Sequence, residues 1–446
     1  MRLFQSVLAL LLLFSNIIVA QSSKPTKILI NNVEIFNGKD AKTIKGNVLI
    51  ENNIITKIST EGIITDRSGF TQIIDGKGKF LMPGMIDAHV HLLFESIPQM
   101  QAMMSDFAML NLIAAKAAEK QLLRGFTTVR DLGGGSLTLA KAIDMGLASG
   151  PRVYSSGAFI SQTGGHGDFG LPTDVPRKIG ELSYPERNGM VAVADGADNV
   201  LMRTREQLRQ GATQIKLMAG GGVSSNYDPL DVTQYTEAEF KAAVSAAENW
   251  GTYVTVHAYT PDAIKTAIKA GVKCIDHGQL ADEETAKLMA EKGIWWSLQP
   301  FIDNGESRFP EGSPNRLKQD EMRQGTDIAY SFAKKYNIKT AWGTDILFDA
   351  KEATKQGSKL SALTRWYTPY EILKMATSSN AELLRMSGKR DPYQKGKLGE
   401  ISVGAYADLI LVNGSPLENI KLVENPDANF LIIMKDGVVY KNILNK

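Results

Sequence analysis

The chain has 446 residues, with 50 Lys+Arg against 48 Asp+Glu for a formal net charge of +2, and it is 43% hydrophobic and 22% charged. That balance lacks the basic excess of a nucleic-acid binder and suits a globular protein of two or three domains, or one α/β barrel with an appendage. Cys274 is the only cysteine, so an intrachain disulfide and a cysteine-based zinc site are both excluded.

Residues 1–20 read as a secretory leader: Arg2, an apolar run from Val7 to Phe14, then Ile17-Ile18-Val19-Ala20 before Gln21. An uncleaved anchor is the alternative, but the run is shorter than the roughly 20 apolar residues that span a bilayer. The mature protein is therefore expected to be exported, to the periplasm or the medium. From Lys27 to Ile74, short alternating segments such as Ile28-Leu29-Ile30, Val33–Phe36, Asn47–Glu51 and Ile54–Ile58 predict strands separated by turn residues.

The middle of the chain alternates apolar runs with helix-length amphipathic segments. Strands are expected at Met85–His89, Thr127–Asp131, Arg152–Ala158, Gln214–Leu217, Tyr253–His257, Lys273–His277, Ile294–Gln299 and Lys339–Thr344, with helices such as Phe107–Arg124, Glu237–Trp250 and Asp282–Lys292 between them. Eight strands alternating with helices over about 300 residues fit a (β/α)8 barrel. The C-terminal segments Gly399–Gly404, Ala407–Val412 and Phe430–Tyr440 return to the strand style of the N-terminus. The expected organisation is a leader (1–20), a small β-sandwich assembled from 21–82 and 391–446, and a barrel over 83–390.

The five histidines carry the chemistry. His89 and His91 close the first barrel strand at alternate positions, so both imidazoles face one side. Two ligands alone do not make a metal site. However, His257 and His277 end two later strands and Asp345 follows the last, all at the edge where barrel enzymes carry catalytic groups. Lys216 interrupts an apolar strand, where an unpaired ammonium is costly and a salt bridge is the plain reading. Arg130 and Arg152 are expected to pair with internal carboxylates. The glycine runs at 133–135 and 220–222 lack the spacing of a phosphate loop and suggest close backbone approach instead.

Pro83-Gly84-Met85-Ile86-Asp87-Ala88-His89-Val90-His91, Lys216, His257, His277, Gly343-Thr344-Asp345 and Gly404-Ala405-Tyr406-Ala407-Asp408-Leu409-Ile410-Leu411 together resemble the amidohydrolase superfamily of metal-dependent hydrolases. Thr127–Gly134, Gln162–Asp168 and Lys216–Val223 resemble its dipeptidase and carboxypeptidase branch, related to prolidase-like enzymes and imidazolonepropionase. The resemblance implies two zinc ions per subunit. His89, His91 and Asp345 would bind one, His257 and His277 the other, and carbamylated Lys216 would bridge them. Asp345 would also move the proton from attacking water to the departing amine. His166 and Tyr227, on loops after the third and fourth strands, would face the substrate.

The reading that follows is cleavage of a dipeptide or N-acyl amino acid. Hydrolysis of a cyclic amide or deamination of a heterocycle is the first alternative, and a catalytically silent metal-binding protein the second. The expected partners are that small-molecule substrate and further copies of the chain, with no nucleic acid, and no membrane once the leader is gone.

Overall fold

The computed structural model describes residues 27–65, 71–176, 178, 180–303 and 305–444. The leader expected over residues 1–20 lies outside the described residues. Among those described, no helix is long and apolar enough to cross a membrane.

The fold is α/β with parallel sheets, consistent with a TIM-barrel-like domain. Each of the eight expected positions carries a buried strand: Met85–Val90, Phe126–Asp131 and Arg152–Ser155 in one parallel sheet, and Ile215–Met218, Val254–Ala258, Cys274–His277, Trp295–Leu298 and Thr340–Trp342 in another. The two sheets adjoin twice. Thr213 N donates to Ser155 O at 2.9 Å, and Asp345 N to His89 O at 2.8 Å. The amide of Asn380 strengthens the second junction by donating to both Ile86 O and Trp342 O, at 2.7 and 2.8 Å. Gly343 permits the approach, because a Cβ there would lie 2.5 Å from the Cβ and backbone N of His89.

Helix boundaries follow local chemistry. Glu237–Trp250 begins with a Thr236/Glu239 capping box and ends at Gly251, whose φ of 73° suits a left-handed cap. Glu283–Glu291 starts from Asp282, whose carboxylate accepts from Thr285 N at 2.7 Å.

Two local expectations are corrected. The strand expected over Arg152–Ala158 stops at Ser155, because the chain turns at Gly157 (φ 74°) and resumes as Phe159–Ser161. That short strand pairs with Val191–Val193, which the sequence pattern did not mark, and meets Leu217 through Ile160. Gly399–Gly404 is not a strand; the nearby pairing is limited to isolated bridges such as Lys397 with Ala405.

An eight-stranded sheet draws on both ends of the chain. Its order runs Val438–Asn442, Phe430–Lys435, Leu409–Val412, Phe80–Pro83, Lys27–Ile35, Ile44–Glu51 and Ile54–Ser59, with Thr71–Asp75 also beside Lys27–Ile35. Ile28, Ile30, Val48, Leu409, Leu411 and Met434 share one of its buried faces. Arg152 links this sheet to the parallel strands: it pairs with Asp408 at 3.1 Å and with Asp436, and lies 4.0 Å over the Tyr406 ring.

Candidate active site

Strand ends bring His89, His91, Lys216, His257, His277 and Asp345 around one small cavity of about 40 Å³. Two of these residues hold backbone conformations that L-residues seldom adopt, His277 at φ 77° and Asp345 at φ 49°. Such strain persists only where surrounding structure over-determines it. Here Asp87 is part of that frame. Its buried carboxylate accepts from His89 N (3.1 Å), Thr344 N (3.1 Å), Thr344 Oγ1 (2.8 Å) and Gln356 Nε2 (2.8 Å), tying the first strand to the segment that carries Asp345.

Backbone carbonyls fix which ring nitrogen is free in His91 and His257. A carbonyl oxygen can only accept, so His91 Nδ1, 3.2 Å from Gly133 O, carries its proton, and its Nε2 lone pair faces inward. His257 donates from Nε2 to Gly221 O at 3.0 Å, which leaves Nδ1 free. His277 Nδ1 faces Gln299 Oε1 at 2.8 Å, and His89 Nδ1 faces the Asp276 carboxylate at 3.4 Å. Burial drives the His89 imidazole down to about 4 and that of His277 to about 3, and holds His257 well below its ordinary value. All three are neutral at pH 7, the state a metal ligand requires.

Asp345 stands against these rings. Its Oδ1 lies 3.2 Å from both His89 Nε2 and His91 Nε2, and its Oδ2 lies 4.0 Å from His277 Nδ1. Burial alone would raise its pKa, but His89 and His91 outweigh that and hold the carboxyl well below the usual range. His89, His277 and Asp345 offer donor atoms all within 4.8 Å of one another, a group able to hold a metal ion among the described residues. Neutral imidazole nitrogens beside a carboxylate suit zinc.

Lys216 is fully buried below this group, and its Nζ lies 2.7 Å from Asp276 Oδ2. Asp276 is shared: Arg130 Nη2 meets its Oδ1 at 2.7 Å and Thr255 Oγ1 donates to its Oδ2 at 2.7 Å. Burial would raise its carboxyl, yet Lys216 and Arg130 together hold it well below the usual range. Burial lowers the Lys216 amine, against the pull of Asp276. Arg130 is thus paired internally, as its place on a buried strand suggested.

His166 joins the site and Tyr227 does not. The His166 ring stacks on His257 with centroids 4.1 Å apart, and its Nδ1 lies 2.6 Å from Ser225 Oγ and 3.5 Å from Asp228. Gly222 makes room for it, since a Cβ there would sit 2.0 Å from the imidazole. Tyr227 is half-exposed and lines neither this cavity nor the larger cleft outside it. Asp276 and Gln299 went unmarked in the sequence. The signal for Asp276 was available: a charge on an apolar strand directly before a candidate ligand.

Phe94, Phe159, Phe169 and Phe348 form one wall of the cavity, with ring centroids 5.3 Å apart for Phe94 and Phe348 and 6.0 Å for Phe159 and Phe169. The glycine runs serve this packing. A Cβ at Gly133 or Gly167 would lie 2.3 Å from the Phe159 ring. Outside the cavity opens a cleft of about 470 Å³ that shares Val223, Ser224, Tyr259, Asp345 and Leu347 with it.

Comparison with known proteins gives matches along nearly the whole chain. The model of the amidohydrolase family matches residues 80–445. An ochratoxinase from Aspergillus niger is 32% identical over 445 residues, covering 95% of this chain and 89% of the relative. Among solved structures, a prolidase complexed with N-methylphosphonate-L-proline has a TM-score of 0.83 at 32% identity, covering 94% of this chain and all of the other. A Xaa-Pro dipeptidase with methionine bound in its active site has a TM-score of 0.79 at 31% identity, with the same coverage.

Proposed function

Because the chain belongs to the amidohydrolase family, and is a metal-dependent hydrolase of amide C–N bonds, we propose that it is an exported binuclear zinc enzyme cleaving a dipeptide or an N-acyl amino acid. The observation that carries this reading is the convergence of His89, His91 and His277 on Asp345, with His257 and the buried Lys216 lining the same cavity. The prolidase, Xaa-Pro dipeptidase and ochratoxinase relatives support the substrate class. In this reading residues 83–390 close as a (β/α)8 barrel, residues 21–82 and 391–446 form one β-sandwich, and residues 1–20 are removed on export.

His89, His91 and Asp345 would hold one zinc ion and His257 and His277 the other, with Lys216 between them as its N-carboxylate. Carbamylation gives the buried amine a purpose beyond its pairing with Asp276, since it turns a cation into an oxygen ligand. When bound, the ions supply Lewis acidity to the scissile carbonyl and to water. Asp345, anionic at neutral pH, takes a proton from the attacking water and returns it to the departing amine nitrogen. His166, steadied by Ser225 and Asp228, presents a hydrogen-bonding edge to the substrate beside His257.

Metal analysis of protein produced with zinc and bicarbonate, paired with a turnover screen of dipeptides and N-acyl amino acids, tests the proposal. Two zinc ions per chain and turnover within that panel are expected, and Lys216→Ala should lose metal and activity together. A fully active Lys216→Ala variant would refute the carbamate, and absence of turnover across the panel would refute the substrate class.

A further inference from the structure

The outer cleft is lined by four cations, Arg308, Arg323, Lys351 and Lys359, and two of them hold ion pairs. Arg323 Nη1 meets Asp303 at 3.1 Å, and Lys359 meets Glu352 at 2.9 Å. Arg308 differs. Among the described residues no carboxylate lies within ion-pair distance of it, although Asp345 and Asp349 act on it from farther off, and its guanidinium is fixed on several sides. Nη1 donates to Leu347 O, Nη2 donates to Ser224 Oγ at 3.0 Å, and the group lies 4.7 Å over the Phe309 ring and 5.6 Å over that of Phe348. Ser224, Leu347 and Phe348 also line the inner cavity, so Arg308 stands where the cleft opens onto the histidines.

A guanidinium has five N–H donors in a planar fork, and neutral acceptors take only two of these contacts. The remaining donors match a carboxylate, which Arg binds in a bidentate manner. Asp345 and Asp349 line the same cleft, so an anionic substrate there gains from a cation with donors to spare. Of the two residues that the family resemblance placed facing the substrate, Tyr227 is half-exposed outside the lining.

We infer that Arg308 is the specificity-determining residue that recognises the substrate's free C-terminal carboxylate at the mouth of the metal cavity. The inference rests on the reading of the protein as a hydrolase of dipeptides or N-acyl amino acids. A purely structural Arg308, pinning its loop to Ser224 and Leu347, would affect acid and neutral substrates alike. Recognition alters their ratio.

The test uses the zinc-loaded full-length protein and N-acetyl-L-phenylalanine against its C-terminal carboxamide, followed by acetate release, with an equivalent dipeptide pair in parallel. The wild type should favour the free acid. Arg308→Ala should lower the acid-to-amide ratio of kcat/KM by about 10- to 100-fold, chiefly through KM, with metal content and melting temperature unchanged. Arg308→Lys should restore part of the ratio, as a point charge without the fork does. A wild-type ratio in Arg308→Ala, or no acid preference in the wild type, overturns the role of Arg308 while observed turnover leaves the amide-hydrolase reading standing. No acetate release and no dipeptide cleavage by the wild type overturns that reading and the inference with it.

Discussion

Glu95 offers a sharp test of the electrostatics around the site. It lies four residues after His91, and its backbone O accepts from Asp349 N at 3.2 Å, so it anchors the segment following Asp345. Its side chain is buried, accepts from Gln121 Nε2, and lies 4.0 Å from Arg124 Nη2. Burial outweighs both partners and raises its pKa from 4.5 to about 7. The folded protein therefore holds this proton more tightly than the unfolded chain. Below pH 4.5 both states are protonated and the group is neutral in its effect. Between pH 4.5 and 7 the unfolded chain loses the proton first, so stability falls as pH rises. Above pH 7 the full difference, about 3 kcal/mol, has been lost. Glu95→Gln keeps the shape and the Gln121 contact but cannot ionise. Denaturant unfolding of both proteins at equal metal loading, from pH 5 to pH 9, isolates the group because every other titration is common to both. The variant should match the wild type near pH 5 and gain on it by about 3 kcal/mol at pH 9. A stability difference independent of pH would show that Glu95 is already ionised in the folded protein, and the argument from burial would fail.

Two further outcomes follow from the geometry. Gly343→Ala forces a Cβ to within 2.5 Å of His89, against backbone that cannot swing away; a cost of about 1–3 kcal/mol and weaker metal retention should appear in unfolding curves and metal analysis, and wild-type values in both would refute the close approach. Asp345→Asn should leave circular dichroism and most bound metal in place while kcat falls by about 100-fold or more; a kcat within a few-fold of wild type would place the proton shuttle elsewhere.

What the sequence makes legible divides along the range of the interactions involved. The eight parallel strands stand out because strands buried on both faces read as short apolar runs. Misread boundaries occur where one glycine redirects the chain, as at Gly157. The histidines and Asp345 stand out because histidine is scarce here and each sits at a strand end. Buried charges such as Arg130, Lys216 and Asp276 are visible singly, and each must find a partner. Yet no local pattern says that Arg130 and Lys216 both meet the Asp276 carboxylate, because the three lie on strands far apart in the chain.

The loop after Lys216 is the extreme case. Its path is set by the helix Pro314–Lys335, some ninety residues later. Lys318 Nζ donates to the carbonyls of Gly222, Ser225 and Asp228, and Asn315 Nδ2 to those of Val223 and Ser225. These tethers hold Ser225 and Asp228 against His166 and set Ser224 beneath Arg308, while Tyr227 remains at the surface. Candidate ligands fixed by strand geometry can therefore be read from spacing. His166, Ser224 and Arg308 lie on loops, where a tether from a distant helix decides which side chain faces the cleft.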